Sequence, residues 1–259
     1  MLGLQKGIIY GPVNSRRLGR SLGINLSPIK YKLCTFDCLY CQYGWTKIHG
    51  RTVEYPGLLP ALPDVLQAIE ASLSHLSPKP DYITFSGNGE PTLHPRFGEI
   101  VDGVIELRDR LSPQSRTAVL SNSATADEPK VSNAIAKLDV KIMKLDCGTE
   151  ECFLTYNRPC EGSTLEKIVR GLTAIPAVTI QTLFTAGQAG NYTEHNLEAW
   201  MRLLRKIHPI AVQIYTLDRG YPSKEIDPLT NDQLIHVQDE LAKEGTNAAA
   251  YPSRRQVQK

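Results

Sequence analysis

Apolar residues recur along most of this chain at the spacing of a strand or of a helix. Short runs rich in β-branched and aromatic residues predict six strands, at Ser21–Leu26, Tyr82–Phe85, Thr117–Leu120, Val140–Leu145, Val178–Phe184 and Ile210–Tyr215. Helical spacing predicts six helices between and after them, at Asp64–Leu73, Phe97–Leu111, Pro129–Leu138, Thr164–Ala174, Glu194–His208 and Asn231–Lys243. The segment Gly11–Arg20 shows neither spacing and is predicted to be a loop.

Strands and helices alternate along the predicted core, which is typical of a parallel α/β sheet. No linker rich in Pro, Gly or Ser divides the chain. We therefore expect one core domain over residues 1–244, with an Arg- and Gly-rich N-terminal loop, and a mobile polar tail over residues 245–259. The strand count leaves two architectures open, a doubly wound open sheet and an incomplete barrel. In either one, ligands bind at the carboxyl ends of the strands.

Composition narrows the class of protein further. The chain has 259 residues, 41% of them hydrophobic, which is enough for a full core. Its formal charge of +2 is too small to indicate a dedicated nucleic-acid binder. No apolar run reaches the length of a membrane span and Met1–Lys6 has no apolar signal core, so we expect a cytoplasmic protein without membrane contact. Six cysteines in that setting indicate reduced thiols or metal ligands.

Three cysteines, Cys34, Cys38 and Cys41, fall within eight residues at the spacing Cys-x3-Cys-x2-Cys. So short a stretch is unsuited to disulfides, because neighbours this close would strain any ring they closed. Gathered thiolates suit a metal instead. Zinc prefers four ligands, whereas a four-iron cluster held by three thiolates keeps one iron open for a second molecule. A catalytic cluster and a non-catalytic iron–sulfur or zinc module are both compatible with the spacing.

Polar residues stand at the carboxyl ends of three predicted strands. The turn Ser86–Pro95 contains two glycines, through which backbone groups can approach a ligand closely. Ser121 and Asn122 follow the next strand, and Lys144 and Asp146 close the one after that. The turn lacks both the ending of a phosphate loop and the spacing of a dinucleotide fingerprint. Each of these residues could also be an ordinary strand-end cap.

The N-terminal segment carries three arginines, Arg16, Arg17 and Arg20. Their planar guanidinium groups could bind an anionic group such as a carboxylate or a phosphate. A solvated loop is the other interpretation, and the sequence leaves both open.

Two motifs carry a resemblance to a known superfamily. Cys34-x3-Cys38-Leu39-Tyr40-Cys41 resembles the cluster signature of the radical S-adenosylmethionine (SAM) superfamily, including the aromatic residue before the third cysteine. Ser86–Pro91 resembles its Gly-Gly-Glu-Pro motif, with Asn88 in place of the second glycine. The resemblance implies a partial (β/α)6 TIM-like barrel with parallel strands. The segments Tyr10–Arg20 and Phe85–Pro95 look more narrowly like the wyosine-synthetase-like iron–sulfur oxidoreductases, a branch that includes tRNA-modifying enzymes.

The resemblance also implies an activity and its cofactors. Cys34, Cys38 and Cys41 would bind a [4Fe–4S] cluster whose open iron takes the amino and carboxylate groups of SAM. One electron would cleave SAM to methionine and a 5′-deoxyadenosyl radical, which abstracts hydrogen from a substrate. Contacts to SAM would come from the residues that match the superfamily's motifs or stand at the strand ends: Tyr40, Gly87, Asn88, Gly89, Glu90, Pro91, Ser121, Asn122, Lys144 and Asp146.

Within that set the resemblance implies separate roles. The backbone of Gly87–Pro91 would hold the methionyl amino group, Lys144 the carboxylate, and Asp146 a ribose hydroxyl or a supporting position. Ser121 and Asn122 would face the ribose or carboxylate, and Tyr40 the adenine. A small electron donor such as flavodoxin or ferredoxin is expected as a partner, and the substrate is a small molecule, a peptide or RNA. A wyosine-type tRNA-modifying enzyme is the alternative activity.

The remaining cysteines, Cys147, Cys152 and Cys160, follow the strand that ends near Asp146. Their position at the predicted active edge means that they could bind an auxiliary iron–sulfur cluster. Three unrelated thiols are the alternative, because free cysteine often behaves as a small buried hydrophobic residue.

Overall fold

The structure, a computed structural model, describes residues 1–51 and 56–254. Within those residues the main sheet has eight strands, which we number in chain order: β1 Ile9–Ser15, β2 Gly19–Ile24, β3 Tyr82–Phe85, β4 Arg116–Ser121, β5 Val140–Lys144, β6 Thr179–Leu183, β7 Ala211–Tyr215 and β8 Ala248–Tyr251. β1 pairs antiparallel with β2, and every later neighbour is parallel.

The order of the strands in the sheet is their order in the chain, from β1 to β8. This order decides between the two architectures that the strand count leaves open. A doubly wound sheet reverses its strand order at a switch point, whereas right-handed crossovers that all run one way place every helix on one face. The sheet is therefore a partial barrel, as the resemblance implies, and its six β/α units run from β2 to β7.

Six helices connect or follow these strands: α1 Leu62–His75, α2 Phe97–Leu111, α3 Pro129–Ala136, α4 Leu165–Ala174, α5 Glu194–Ile207 and α6 Asn231–Lys243. All six predicted helices and all six predicted strands are confirmed, with ends within two residues of the prediction. Threonine side chains cap the N-termini of the last three helices, each accepting a hydrogen bond from a backbone N–H. Thr230 forms a full capping box with Gln233. No helix in the described part of the chain is long and apolar enough to cross a membrane.

Shorter elements lie in the connections. The two-residue strands Leu33–Cys34 and Ile48–His49 pair in parallel, and Thr185–Ala186 pairs antiparallel with Asp227–Pro228. Single helical turns occur at Pro56–Leu58, Pro91–Leu93, Glu150–Cys152 and Phe153–Asn157.

Two predictions about the ends of the domain are wrong. The segment Gly11–Arg20 is not a loop, because most of it belongs to the β1–β2 hairpin. A bulge between Tyr10 and Val13 shifts the register, which breaks the period-two pattern and accommodates Pro12. Residues Ala248–Tyr251 are not a mobile tail, because they pair with β7 as β8. Residues 255–259 of the predicted tail lie outside the described residues.

The hydrophobic core lies between the sheet and the helices that pack against it. Its central side chains, such as Phe85, Val119 and Met143, are fully buried between the strands and α1–α5. A smaller cluster of Leu18, Ala118 and Ile142 fills the inner face of the barrel. Above it, towards the carboxyl ends of the strands, the barrel opens into a cavity of about 590 Å³, the central cavity. The volume lies within the roughly 300–1,000 Å³ of ordinary ligand pockets.

Candidate active site

The three cysteines of the motif stand on one loop, residues 34–41, which we call the cysteine loop. Cys34 belongs to the short strand Leu33–Cys34, and Cys41 lies in a turn in which its N–H donates to the carbonyl of Cys38 at 3.1 Å. Cys34 and Cys38 are buried and Cys41 is half-buried. All three line the central cavity. The structure therefore brings the motif to the open end of the barrel, where a ligand can reach it.

A buried lysine accompanies these thiols. Lys32 lies beneath the cysteine loop, with its Nζ donating to the carbonyl of Gly44 at 3.1 Å. Burial alone would lower the pKa of Lys32, but attraction to Cys41, Cys34 and Cys38 outweighs it and raises the pKa. Burial raises the pKa of Cys34 to about 12 and that of Cys38 to about 11, although Lys32 opposes the shift. Metal binding must therefore displace protons from these thiols, and Lys32 partly compensates the charge that then develops.

Two asparagine amides donate to the cysteine sulfurs. Nδ2 of Asn122 lies 3.4 Å from Sγ of Cys34, and Nδ2 of Asn157 lies 3.4 Å from Sγ of Cys38. Hydrogen bonds to ligating sulfur orient the ligand and tune the potential of an iron–sulfur cluster. Three thiols on one loop, amide donors to two of them and an adjoining cavity fit a [4Fe–4S] cluster.

A single metal ion needs ligands that converge on one point, whereas a cluster does not. Across residues 1–51 and 56–254, no group of three or more His, Cys, Asp or Glu side chains is arranged to hold one ion. In a cluster each thiolate binds a separate iron, so its cysteines need not converge on one point.

The glycine-containing turn after β3 faces the cysteine loop. Gly87, with φ at +129°, and Gly89 line the central cavity. A Cβ on Gly89 would lie 1.7 Å from the carbonyl oxygen of Leu33, so only glycine lets the turn pass this close to the cysteine loop. The side chain of Asn88 points away and bonds to the backbone of Gln5 and Pro28. Asn88 therefore anchors the turn rather than lining the cavity.

Glu90 joins that turn to the end of β4. Its carboxylate accepts hydrogen bonds from Thr92 N and Oγ1, from Ser121 Oγ at 2.9 Å and from Asn122 N at 2.6 Å. Burial raises the pKa of Glu90, and these four donors oppose the shift. Glu90, Ser121 and Asn122 line the central cavity, whereas Pro91 is buried at the start of the following helical turn.

Asp146 has a similar role on the other side of the cavity. Its carboxylate accepts from Tyr40 OH at 2.5 Å, Asn157 Nδ2 at 2.9 Å and the N–H of Leu183 at 2.9 Å, and it pairs with Lys144 Nζ at 2.9 Å. Tyr40 and Lys144 line the cavity, whereas Asp146 lies behind them. Of the two roles that the resemblance implies for Asp146, these contacts match the supporting one.

Lys144 is held by more than one partner. Its Nζ donates to Tyr215 OH at 3.0 Å and lies 4.9 Å from the ring centroids of both Tyr40 and Tyr215. Burial would lower the pKa of Lys144, but attraction to Asp146 and Tyr215 raises it. Lys144 thus presents a fixed positive charge at the cavity wall.

The second set of cysteines separates into a pair and a single residue. Sγ of Cys152 lies 2.7 Å from Sγ of Cys147, and Cys147 Sγ lies 3.6 Å from Oδ1 of Asn157. Cys160 instead lies against Ser163, with 3.6 Å between Sγ and Oγ.

The contributions of Lys32 and Asn157 to the site were not predicted from the sequence. Lys32 stands two residues before Cys34, but a single lysine in a polar segment is ordinary. Asn157 is distant from the cysteine loop along the chain, and a turn of π-helix carries its side chain to Cys38 and Asp146.

Sequence comparison assigns this arrangement to a class of enzymes. The family described as the radical SAM superfamily matches residues 29–204, which include the cysteine loop, the glycine-containing turn, Lys144 and Asp146. The chain belongs to the radical SAM superfamily and is an enzyme of that class, for which a [4Fe–4S] cluster and SAM are the implied cofactors. Within it, the UPF0026 protein of Helicobacter pylori strain J99 is 31% identical over 234 residues, covering 88% of this chain and 71% of the relative.

Solved structures agree on the fold. Streptococcus suis SuiB bound to S-adenosylmethionine superposes with a TM-score of 0.63 at 10% identity, over 89% of this chain and 50% of that one. TYW1 superposes with a TM-score of 0.59 at 17% identity, over 86% of this chain and 73% of that one. The chain spans only part of the length of these proteins.

Replacing Asp146 with asparagine removes the negative charge that four donors surround. Because Lys144 then keeps its hydrogen bond to Tyr215 but is left buried without a counter-charge, we expect Asp146→Asn to lower the free energy of unfolding of the metal-free protein by about 3 kcal/mol. Denaturant unfolding followed by circular dichroism measures the change. Asp102→Asn is the control, because its ion pair with Lys137 is exposed and is worth at most about 1 kcal/mol. Equal effects of the two variants would contradict the role of Asp146.

The iron content per chain distinguishes a protein with one cluster from a protein with two. Since Cys160 lies apart from the Cys147–Cys152 pair, we expect about four irons per chain after anaerobic reconstitution, and the same content in Cys160→Ser. Iron and sulfide assays measure the content. About eight irons per chain, falling to four in Cys160→Ser, would show that the second set of cysteines binds a cluster.

Proposed function

We propose that this enzyme cleaves SAM reductively and abstracts a hydrogen atom from its substrate. One observation carries the proposal: Cys34, Cys38 and Cys41 line the same cavity as Gly87, Gly89 and Lys144. When bound, the [4Fe–4S] cluster supplies one electron to SAM, which yields methionine and a 5′-deoxyadenosyl radical.

Cys34, Cys38 and Cys41 would hold the cluster, and Asn122 and Asn157 would donate to two of the ligating sulfurs. Asn122 also donates its backbone N–H to Glu90, so one residue links the cysteine loop to the glycine-containing turn. This link supports a fixed spacing between the cluster and whatever binds that turn.

SAM would bind between the turn and the end of β5. The exposed backbone at Gly87 and Gly89 suits the methionyl amino group, and the charge of Lys144 suits the carboxylate. Ser121 would position the ribose, and the ring of Tyr40 would contact the adenine. Asp146 acts one layer further out, because its oxygens already accept hydrogen bonds from Tyr40 and Asn157, and Glu90 lines the cavity but has its oxygens taken by Ser121 and Asn122.

The protein also has to exclude water and admit an electron donor. The cysteine loop is mostly buried, and the half-buried Cys41 lies at its accessible side. We propose that a small one-electron donor, of the flavodoxin or ferredoxin kind, reduces the cluster from that side. Electron transfer to a shielded cluster keeps the radical away from solvent, where it would be quenched.

The assay is the formation of 5′-deoxyadenosine from SAM by the reconstituted protein under dithionite. We expect the wild type to form it, Cys38→Ser to fall to the protein-free background because the cluster loses a ligand, and Cys160→Ser to match the wild type. Liquid chromatography of the nucleoside measures all three. A colourless zinc protein without 5′-deoxyadenosine, or a Cys38→Ser variant as active as the wild type, would contradict the proposal.

A further inference from the structure

The β1–β2 hairpin reaches across the open side of the barrel. Nη1 of Arg16, in its turn, donates to the carbonyl of Pro252 at 2.7 Å, and Nη2 pairs with Asp218 at 3.4 Å. Pro252 follows β8 and Asp218 follows β7, so the first and last edges of the sheet meet at this turn. The turn and these two segments together form one end of the central cavity, which we call the arginine end.

Arg17 presents donors at the arginine end. Its guanidinium carbon lies 4.7 Å from the ring centroid of Tyr215 and 5.6 Å from that of Tyr251. A guanidinium stacked on aromatic faces keeps its N–H donors at its edge. In the part of the chain that the structure describes, no carboxylate pairs with this guanidinium and no acceptor takes its hydrogen bonds. A positioned, half-buried cation with free donors therefore lines the cavity.

The charge around Arg17 is positive. Arg16 and Arg254 line the same end, and Asp218 is the acidic residue beside them, whereas Arg219 lines the cavity but donates to Oε1 of Gln42. Asp218 is already engaged, since it pairs with Arg16 and accepts the backbone N–H of Arg254 at 2.7 Å. An excess of positive charge on the walls of a cavity raises the local concentration of anions.

We infer that Arg17, assisted by Arg16 and Arg254, binds a carboxylate or phosphate group of the substrate. The substrate class is then a small anionic molecule, because the half-buried Arg17 lines the cavity itself, whereas Arg16 and Arg254 are exposed at its rim. The inference rests on the proposed function, which places SAM between the glycine-containing turn and Lys144. Lys144 and Arg17 both lie within 5 Å of the Tyr215 ring centroid, so the anion is held close to the SAM site.

Two other roles for Arg17 predict different behaviour. If the guanidinium only fastens the hairpin to Tyr215 and Tyr251, its loss changes stability and leaves anion binding intact. If it holds the carboxylate of SAM, its loss weakens SAM binding. Both roles can be measured separately from anion binding.

The test is calorimetric titration of the reconstituted, SAM-loaded protein with inorganic phosphate and, separately, with acetate. We expect the wild type to bind at least one of them, Arg17→Gln to bind it about tenfold more weakly, and Arg202→Gln to match the wild type. Arg202 is the matched control because it loses the same charge from an exposed ion pair with Glu198. Binding of phosphate alone assigns a phosphate ester, and binding of acetate alone assigns a carboxylate.

Three outcomes would overturn the inference: equal affinities of Arg17→Gln and Arg202→Gln, no binding of either anion by the wild type, or a parallel loss of SAM affinity in Arg17→Gln. Arg17→Lys covers the case in which Arg17→Gln does not fold, because it keeps the charge but lacks the planar fork, and weaker anion binding than in the wild type is still expected. Anion binding needs no radical chemistry, so a failed 5′-deoxyadenosine assay leaves this test intact.

Discussion

The carboxylate of Asp146 connects the elements on which the site depends. It receives a hydroxyl from the cysteine loop, an amide from the π-helical turn, a backbone N–H from β6 and the ammonium of Lys144. A buried charge is costly unless it is paired and fully hydrogen-bonded, so the buried carboxylate of Asp146 favours the arrangement in which all four donors surround it. Asp146 therefore fixes the position of Tyr40 and Asn157, and through Asn157 the sulfur of Cys38.

Glu90 connects structural elements in the same way on the opposite wall of the central cavity. It gathers the glycine-containing turn, Ser121 and the backbone of Asn122, and Asn122 in turn reaches Cys34. Two buried carboxylates, each behind the cavity wall or part of it, thus hold the two sides of the cysteine loop. This arrangement explains how a loop with little regular structure can present three thiols reproducibly, since its neighbours are positioned before any metal arrives.

The sequence predicts most of the scaffold because the scaffold follows local rules. Helix α5, for example, has apolar residues at helical spacing and a threonine cap, and both are visible in the sequence. β8 has no such signal, because its three alanines favour a strand only through pairing with β7. The β1–β2 hairpin is hidden in the same way by its bulge.

The candidate site likewise has a part that can be predicted from the sequence and a part that cannot. The cysteine motif and the turn at Gly87–Pro91 are contiguous and can be predicted. The contacts of Asn157 with Cys38, and of Arg17 with Tyr215, join residues that are far apart in the chain and depend on how the barrel closes. The side-chain contacts of Asn88 are also long-range, because they join it to the backbone of Gln5 and Pro28, and the contact that the resemblance implies for it is one of its backbone.

In the proposed function, a cluster held by Cys34, Cys38 and Cys41 would keep one iron open for SAM. Pulsed electron–nuclear double resonance of the reduced, reconstituted enzyme, with SAM carrying ¹⁵N in its amino group, tests it directly. We expect a hyperfine coupling from that nitrogen, because the amino group would bind the open iron beside Gly87 and Gly89, which line the same cavity as the cysteines. Bound SAM whose labelled and unlabelled spectra are identical would contradict it.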